Sequence, residues 1–265
     1  MSRIGSSDKI YRLILVRKDG LNVVKKRRAK RGKKEGICGY CGKITQLSED
    51  HVIPQCLFAG KCPSDTPTIY ACERYNNILK SGNDIYLRDM LFMDMHSAQH
   101  PIVQQLWEKF KRAVSRNQSP AAKHALSNGR YVRLHTVSGI FREWAYEMNL
   151  PLERVTDILG MMTRGLYQYY VGRKLPQYSQ FEVMRIQGDL QQFETTIQVL
   201  LQLGAPFVTV GDGEVFQCIY ACSAAHPEVS LWFLCFYNSV VFSVVTNRQV
   251  SQQASSSDPE PAESR

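Results

Sequence analysis

Three short groups of residues between positions 38 and 80 have the types and spacing of a chemical site. They are Cys38-Gly-Tyr-Cys41, Glu49-Asp50-His51-Val52-Ile53-Pro54 and Cys72-Glu-Arg-Tyr75-Asn76-Asn77-Ile-Leu-Lys80. Cys-x-x-Cys puts two thiolates on one tight turn, which is half the ligand set of a tetrahedral zinc ion, and Gly36, Gly39 and Gly42 suit such a knuckle. Cys72 opens a second half-site, but Tyr75 stands three residues on, where a fourth cysteine would be expected. Cys56 or Cys62, in the intervening loop, is then the candidate for the fourth thiolate, unless packing alone holds the site. Asp50-His51 followed by Val-Ile-Pro reads as a short strand that Pro54 ends. Neighbouring side chains on a strand point to opposite faces, so Asp50 and His51 can serve different partners, one a metal and the other a water. Thr68 to Ala71 reads as a second strand and Cys72 to Lys80 as a short helix that returns Asn76 or Asn77 towards Asp50. The elements needed to position the site are thus strand, loop, strand, helix.

This stretch resembles the HNH nucleases of the ββα-metal superfamily, whose pattern runs Cys-x-x-Cys, Asp-His-x-x-Pro, then Cys-x-x-Cys-Asn-x-x-Lys. Asp50-His-Val-Ile-Pro-Gln55 is also similar to the HNH domain of RNA-guided DNA nucleases. The resemblance covers some 43 to 55 of the 265 residues. It implies a general base at His51 and one Mg²⁺ or Mn²⁺ ion held by Asp50 and the helix amide, Asn76. It also implies a structural Zn²⁺ on Cys38, Cys41 and Cys72. Two departures stand out: Tyr75 replaces the fourth cysteine, and Cys72 to Lys80 is one residue longer than the pattern, so Asn76 and Asn77 compete for the amide role. The family's central Asn has no clear counterpart either, since that region reads Asp65-Thr-Pro-Thr68. The chemistry is that of phosphodiester hydrolysis: a water deprotonated in line with the leaving oxygen, and a cation against the charge on the pentavalent phosphate. An imidazole with an ordinary pKa near 6.5 can take that proton at neutral pH.

The charge of the chain is concentrated at one end. Residues 1–36 carry 13 lysines and arginines against Asp8, Asp19 and Glu35, which exceeds the net +9 of the whole protein. Ile10 to Val16 and Leu21 to Val24 flank Asp19-Gly20, a hairpin turn signal. Lys25, Lys26, Arg27, Arg28, Lys30, Arg31, Lys33 and Lys34 follow as eight cations in ten residues. So dense a run repels itself into an extended arm that would track phosphates and feed DNA to the site, with Lys80 as a further contact. The bland alternative is a solvated linker.

Composition is otherwise that of a folded protein, 44% hydrophobic and 22% charged. No apolar run approaches the length of a membrane span, and no signal peptide is evident. Eight cysteines, three of them at metal spacing, point to a reducing compartment and a cytoplasmic location. Asp84 to Met95 reads as helical, with Asp84 and Asp89 assigned to its surface in preference to a further carboxylate near the metal. Pro101 opens an amphipathic helix through Val114, and His96, His100, His124, His135 and His226 lack partners at ligand spacing. Tyr131 to Val137 alternates like a strand, Leu152 to Tyr170 and Leu190 to Leu203 read as helices, and four β-rich stretches follow between Phe207 and Thr246. Arg164, Tyr167, Tyr169, Tyr170, Arg173 and Lys174 could stack on bases or fill a core.

The expected fold is α+β: a ββα-metal (HNH) unit with a zinc knuckle, then helices, then a C-terminal α+β domain with an antiparallel sheet. The divisions are a basic arm (1–36), the HNH-like unit (37–95), a helical linker (96–129), the C-terminal domain (130–250) and a disordered tail (251–265). Target recognition, dimerisation and partner docking all suit the C-terminal domain. Two functions from different classes follow: an HNH endonuclease acting on DNA, and a zinc-knuckle nucleic-acid-binding or scaffold protein whose nuclease centre has decayed.

Overall fold

The computed structural model describes residues 34–136, 138–147, 151–186 and 190–247. The hairpin expected at 10–24, the basic arm up to Lys33 and the tail at 251–265 lie outside the described residues. Within them the fold is mixed α+β and its sheets are antiparallel.

Strands β1 (Lys34–Ile37), β2 (Ile44–His51) and β3 (Thr68–Cys72) form a three-stranded sheet with β2 in the middle. A 3-10 turn (Gln55–Leu57) lies in the long β2–β3 connection. Directly after β3 the chain winds through a π-helical segment (Arg74–Leu79) into α1 (Lys80–Met93). Strand, loop, strand and helix therefore succeed one another as expected, but the helix is far longer than Cys72 to Lys80. Helices α2 (Pro101–Ser115) and α3 (Pro120–Asn128) both begin with a proline at the first turn, where its missing N–H costs nothing. The His100 ring caps α2 by accepting from the Ile102 N–H, and Ser119 caps α3 by accepting from Ala122.

Strands β4 (Arg130–His135) and β5 (Phe141–Glu147) form a two-stranded ribbon of their own. The long helix α4 (Leu152–Val171) ends at Gly172, whose φ of 74° is the left-handed cap that glycine adopts without strain. A five-stranded sheet follows, built from β6 (Gln180–Arg185), β7 (Phe207–Val210), β8 (Phe216–Cys222), β9 (Ser230–Phe236) and β10 (Val240–Asn247) in the order β6-β10-β9-β8-β7. Helix α5 (Leu190–Gln202) lies between β6 and β7 in sequence. Strands β9 and β10, SLWFLCF and VVFSVVTN, read as near-continuous apolar runs because helices cover both faces. Ile219, Phe233 and Val241 gather with Ile197 and Leu200 on the α5 side. Trp232, Leu234 and Phe242 join the larger core with Leu159 and Leu166 of α4.

That larger core does not stop at residue 130. Cys38, Val52, Leu57 and Phe92 belong to one buried cluster with Leu159, Tyr167, Trp232 and Phe236. Polar ties reinforce it: the Tyr237 hydroxyl donates to the Leu57 carbonyl at 2.9 Å, and Lys174 donates to the Cys38 carbonyl at 3.0 Å. Gly165 makes the closest approach possible, since a Cβ there would stand 2.7 Å from Val52, the residue after His51. Helix α4 thus braces the end of β2.

The aromatic and basic residues of α4 are consequently occupied. Tyr167 is buried and its hydroxyl donates to the Pro227 carbonyl, Tyr170 stacks on Tyr220, and Arg164 donates to the carbonyls of Leu175, Pro176, Gln177 and Ser179. Arg164, Tyr167 and Tyr170 are thus packed within the fold, whereas Tyr169, Arg173 and Lys174 are exposed.

Candidate functional site

The knuckle is formed by backbone bonds that the glycines permit. Gly42, with φ at 70°, donates to the Cys38 carbonyl at 3.0 Å, and Gly39 donates across to Tyr70 of β3 at 2.8 Å. This folds Cys38 and Cys41 over the end of β3, where Cys72 lies. One sulfur from each of the three residues falls within 4.8 Å of the others, and all three residues are buried. Burial pushes the Cys38 thiol up, but the backbone N–H groups of Cys41, Cys72 and Tyr40 outweigh it and leave the pKa below the ordinary cysteine value. The Cys72 N–H donates to Cys38 Sγ at 3.3 Å. Three thiols so placed, one of them biased towards thiolate, can hold a metal ion such as zinc.

Neither proposed fourth ligand joins them. Among the described residues the three cysteines are the one group that meets metal-ligand spacing. Cys56 points instead to the Asp84 carbonyl at 3.4 Å, and burial pushes its thiol up to about 12, far from thiolate. Cys62 lies 3.1 Å from the Thr66 hydroxyl. Tyr75, at the expected fourth position, stacks on Tyr40 with ring centroids 5.5 Å apart. An aromatic pair closes the side of the knuckle where the pattern would have put a thiolate.

Along β2 the side chains alternate as a strand requires. Asp50 turns inward and is 3% exposed. Its Oδ2 accepts from the Tyr40 hydroxyl at 2.6 Å and its Oδ1 from the Lys80 ammonium at 2.9 Å. Burial and the Asp50 charge raise the Tyr40 pKa, so the phenol keeps its proton and remains a donor. Lys80 also donates to the backbone carbonyl of His51. It is itself 4% exposed, so the phosphate contact expected of it is unavailable in this arrangement. The reason is electrostatic: a buried carboxylate demands a buried cation, and removing either partner leaves an unpaired charge.

His51 faces the other way. Its Nε2 lies 3.0 Å from Gln55 Nε2. The two side chains share one hydrogen bond, whose direction follows from the tautomer of the ring and the orientation of the amide. Asn76, half-buried, donates to the Ser48 hydroxyl at 2.8 Å and to the Glu49 carbonyl at 3.1 Å, while Asn77 is exposed and its carbonyl accepts from Ser81. Asn76 is therefore the amide that lies against β2. The donors expected for Mg²⁺ or Mn²⁺ are right in kind but engaged. Both Asp50 oxygens have protein partners and the Lys80 ammonium stands against them, so the set as arranged does not fit a divalent ion.

Of the two acids expected on the surface of α1, Asp89 is not there and Asp84 is partly buried. Asp89 is fully buried and accepts from Arg88 Nε at 2.8 Å. Burial pushes the Asp84 carboxyl up to about 7, with Lys80 pulling down and the Asp50 charge pushing further up. Unfolded, the group returns to its ordinary value of 3.8. Between about pH 4 and 7 the folded chain holds a proton that the unfolded chain has released, so stability falls as pH rises across that window, by up to about 4 kcal/mol. Asp84→Asn should therefore match the parent near pH 4 and exceed it increasingly towards pH 7, with the gap constant above. Urea unfolding from pH 4 to 8 reads this, and a gap that does not vary with pH would contradict it.

No family model matches the chain, and neither the curated proteins nor the solved structures yield a match.

Proposed function

We propose that the chain is an HNH-type endonuclease that hydrolyses phosphodiester bonds of DNA. One observation carries the reading: strand β2, strand β3 and the helix after Cys72 bring Asp50, His51, Asn76 and Lys80 together beside a three-cysteine knuckle. His51 is the residue that takes the proton from the attacking water, because it is the one imidazole of the four and its ring turns away from the buried Asp50–Lys80 pair. Its backbone is held from three sides, by the Lys80 bond to its carbonyl, by pairing with Thr68, and by α4 against Val52. Asp50 and Lys80 act as positioning residues: the ion pair fixes the strand end that carries the base. In ββα-metal nucleases a divalent ion supplies positive charge against the phosphate. Here the Asp50 carboxylate, as it stands, offers such an ion no uncommitted oxygen.

That engagement of Asp50 favours the second reading, a nucleic-acid-binding protein with a decayed centre. Plasmid DNA incubated with the purified chain separates them, with Mg²⁺, with Mn²⁺ and with EDTA. Conversion of supercoiled to nicked or linear DNA supports the endonuclease, and suppression by EDTA that added Mg²⁺ or Mn²⁺ reverses supports its dependence on a divalent ion. Binding without cleavage under every condition overturns the endonuclease and leaves the binding protein.

A further inference from the structure

The β4–β5 ribbon presents a feature that the nuclease reading does not use. Its register pairs Tyr131 with Tyr146, Arg133 with Trp144 and His135 with Phe141. Paired residues share a face, and alternate pairs share the same one. A bulge between Leu134 and His135 shifts the last pair, yet Phe141 still contacts both His135 and Trp144. Tyr131 meets Tyr146 at 5.0 Å, the Arg133 guanidinium lies 4.9 Å from the Trp144 ring centre, Trp144 meets Phe141 at 6.2 Å, and Phe141 meets His135 at 6.2 Å. The result is a row of rings along one side of the ribbon, with the Arg133 guanidinium among them.

This row is open to solvent. Tyr131 is 73%, Trp144 57% and Phe141 49% exposed, although large rings normally carry the burial of a core. Among the described residues no third strand pairs with the ribbon. It is anchored at its base, where the Tyr146 hydroxyl donates to the Leu126 carbonyl and the Tyr146 ring lies against Gly129. The charges are sorted as well. Arg133 and His135 belong to the ring face, whereas the Arg130–Glu147 ion pair, at 2.7 Å, belongs to the opposite face and neutralises itself.

We propose that this face is a stacking surface for single-stranded nucleic acid, with bases on Tyr131, Trp144 and Phe141 and phosphates beside Arg133 and His135. Flat rings spaced along an extended ribbon match the π-faces of successive unpaired bases, and the Arg133 guanidinium matches the backbone charge. A duplex hides its base faces, so it gains nothing from the rings. The inference stands on the ribbon alone and does not need the chain to cleave DNA.

The test is binding of a fluorescent thymidine 12-mer and of a 12-base-pair duplex to the full chain without added divalent metal. It is made at low and at high salt, because high salt suppresses contacts by the basic arm and leaves stacking. The 12-mer should quench the exposed Trp144. Tyr131→Ala with Trp144→Ala should weaken 12-mer binding by about 30-fold or more at high salt and leave duplex binding unchanged, while Tyr131→Phe with Trp144→Phe should retain it. Equal 12-mer affinity in parent and alanine variant would overturn the proposal. So would a concentration-dependent dimer that the alanine variant abolishes in the absence of 12-mer binding, since the face would then belong to a second copy. Plasmid cleavage is a separate readout, so failure of either reading leaves the other standing.

Discussion

Cys38→Ser should release the metal from the knuckle and break the cooperativity of folding. The parent chain is expected to carry one Zn²⁺ on Cys38, Cys41 and Cys72. Cys38 is the decisive ligand because its sulfur receives the Cys72 N–H and its backbone closes the turn with Gly42. A serine keeps the turn but offers a hydroxyl that does not ionise at neutral pH. Structural zinc contributes about 10–16 kcal/mol in isolated finger peptides. Here the knuckle is also packed into a large core, so a loss of about 3 kcal/mol or more is the expected minimum, roughly 10 °C in Tm for a chain of this size. Metal analysis and calorimetry on parent and variant read both quantities. A parent without zinc, or a variant that melts where the parent does, would show that three cysteines are packed together and nothing more.

The second large effect is expected at His51. In the endonuclease reading, His51→Ala should lower DNA cleavage by roughly 10²–10⁴-fold while DNA affinity stays within a few-fold, because a general base acts in the transition state and adds little to ground-state binding. The fold should tolerate the change. The His51 backbone is bonded to Lys80 and paired with Thr68, and the ring bonds to Gln55 in an exposed contact. Single-turnover cleavage and binding by the same preparation separate the two quantities. Undiminished cleavage by the variant would remove His51 from the chemistry.

Local spacing carried much of this site in the sequence. The Cys-x-x-Cys turn and Cys72 are read correctly as one cluster because a knuckle is a short-range object, and its glycines announce the turn. The opposite facing of Asp50 and His51 follows from the period of a strand alone. What spacing does not convey is where a side chain finds its partner across the fold. Lys80 looked like a phosphate contact because lysines are rarely buried, yet the buried Asp50 takes it in. Cys56 and Cys62 looked like ligands because they were cysteines in the right loop, but Asp84 and Thr66 claim them. Strands β5 and β6 gave no clear signal. FREWAYE alternates, but Phe141 and Trp144 remain exposed, so the usual link between an apolar stripe and a core does not apply. The Arg164 to Lys174 cluster was ambiguous for the converse reason: a tyrosine on a helix reads the same whether it meets a base or a buried backbone carbonyl.

The π-helical segment Arg74–Leu79 has a consequence for how chains of this kind can vary in length. Its closing bond runs from the Lys80 N–H to the Tyr75 carbonyl, five residues back. Each such turn takes up one residue more than an α turn. That is the same surplus counted between Cys72 and Lys80, and it is accommodated without moving either end. Asn76 still reaches Ser48, Lys80 still reaches Asp50, and the slack bulges outward at Asn77, Ile78 and Leu79, all exposed. A chain lacking one of these three residues could close the same gap with an ordinary helical turn. Deletion of one residue at this point should therefore leave the site in place, whereas the same change on either side would rotate Asn76 or Lys80 off the sheet by about 100°. A sequence comparison should count forward from the knuckle for one residue and backward from the ion pair for the other.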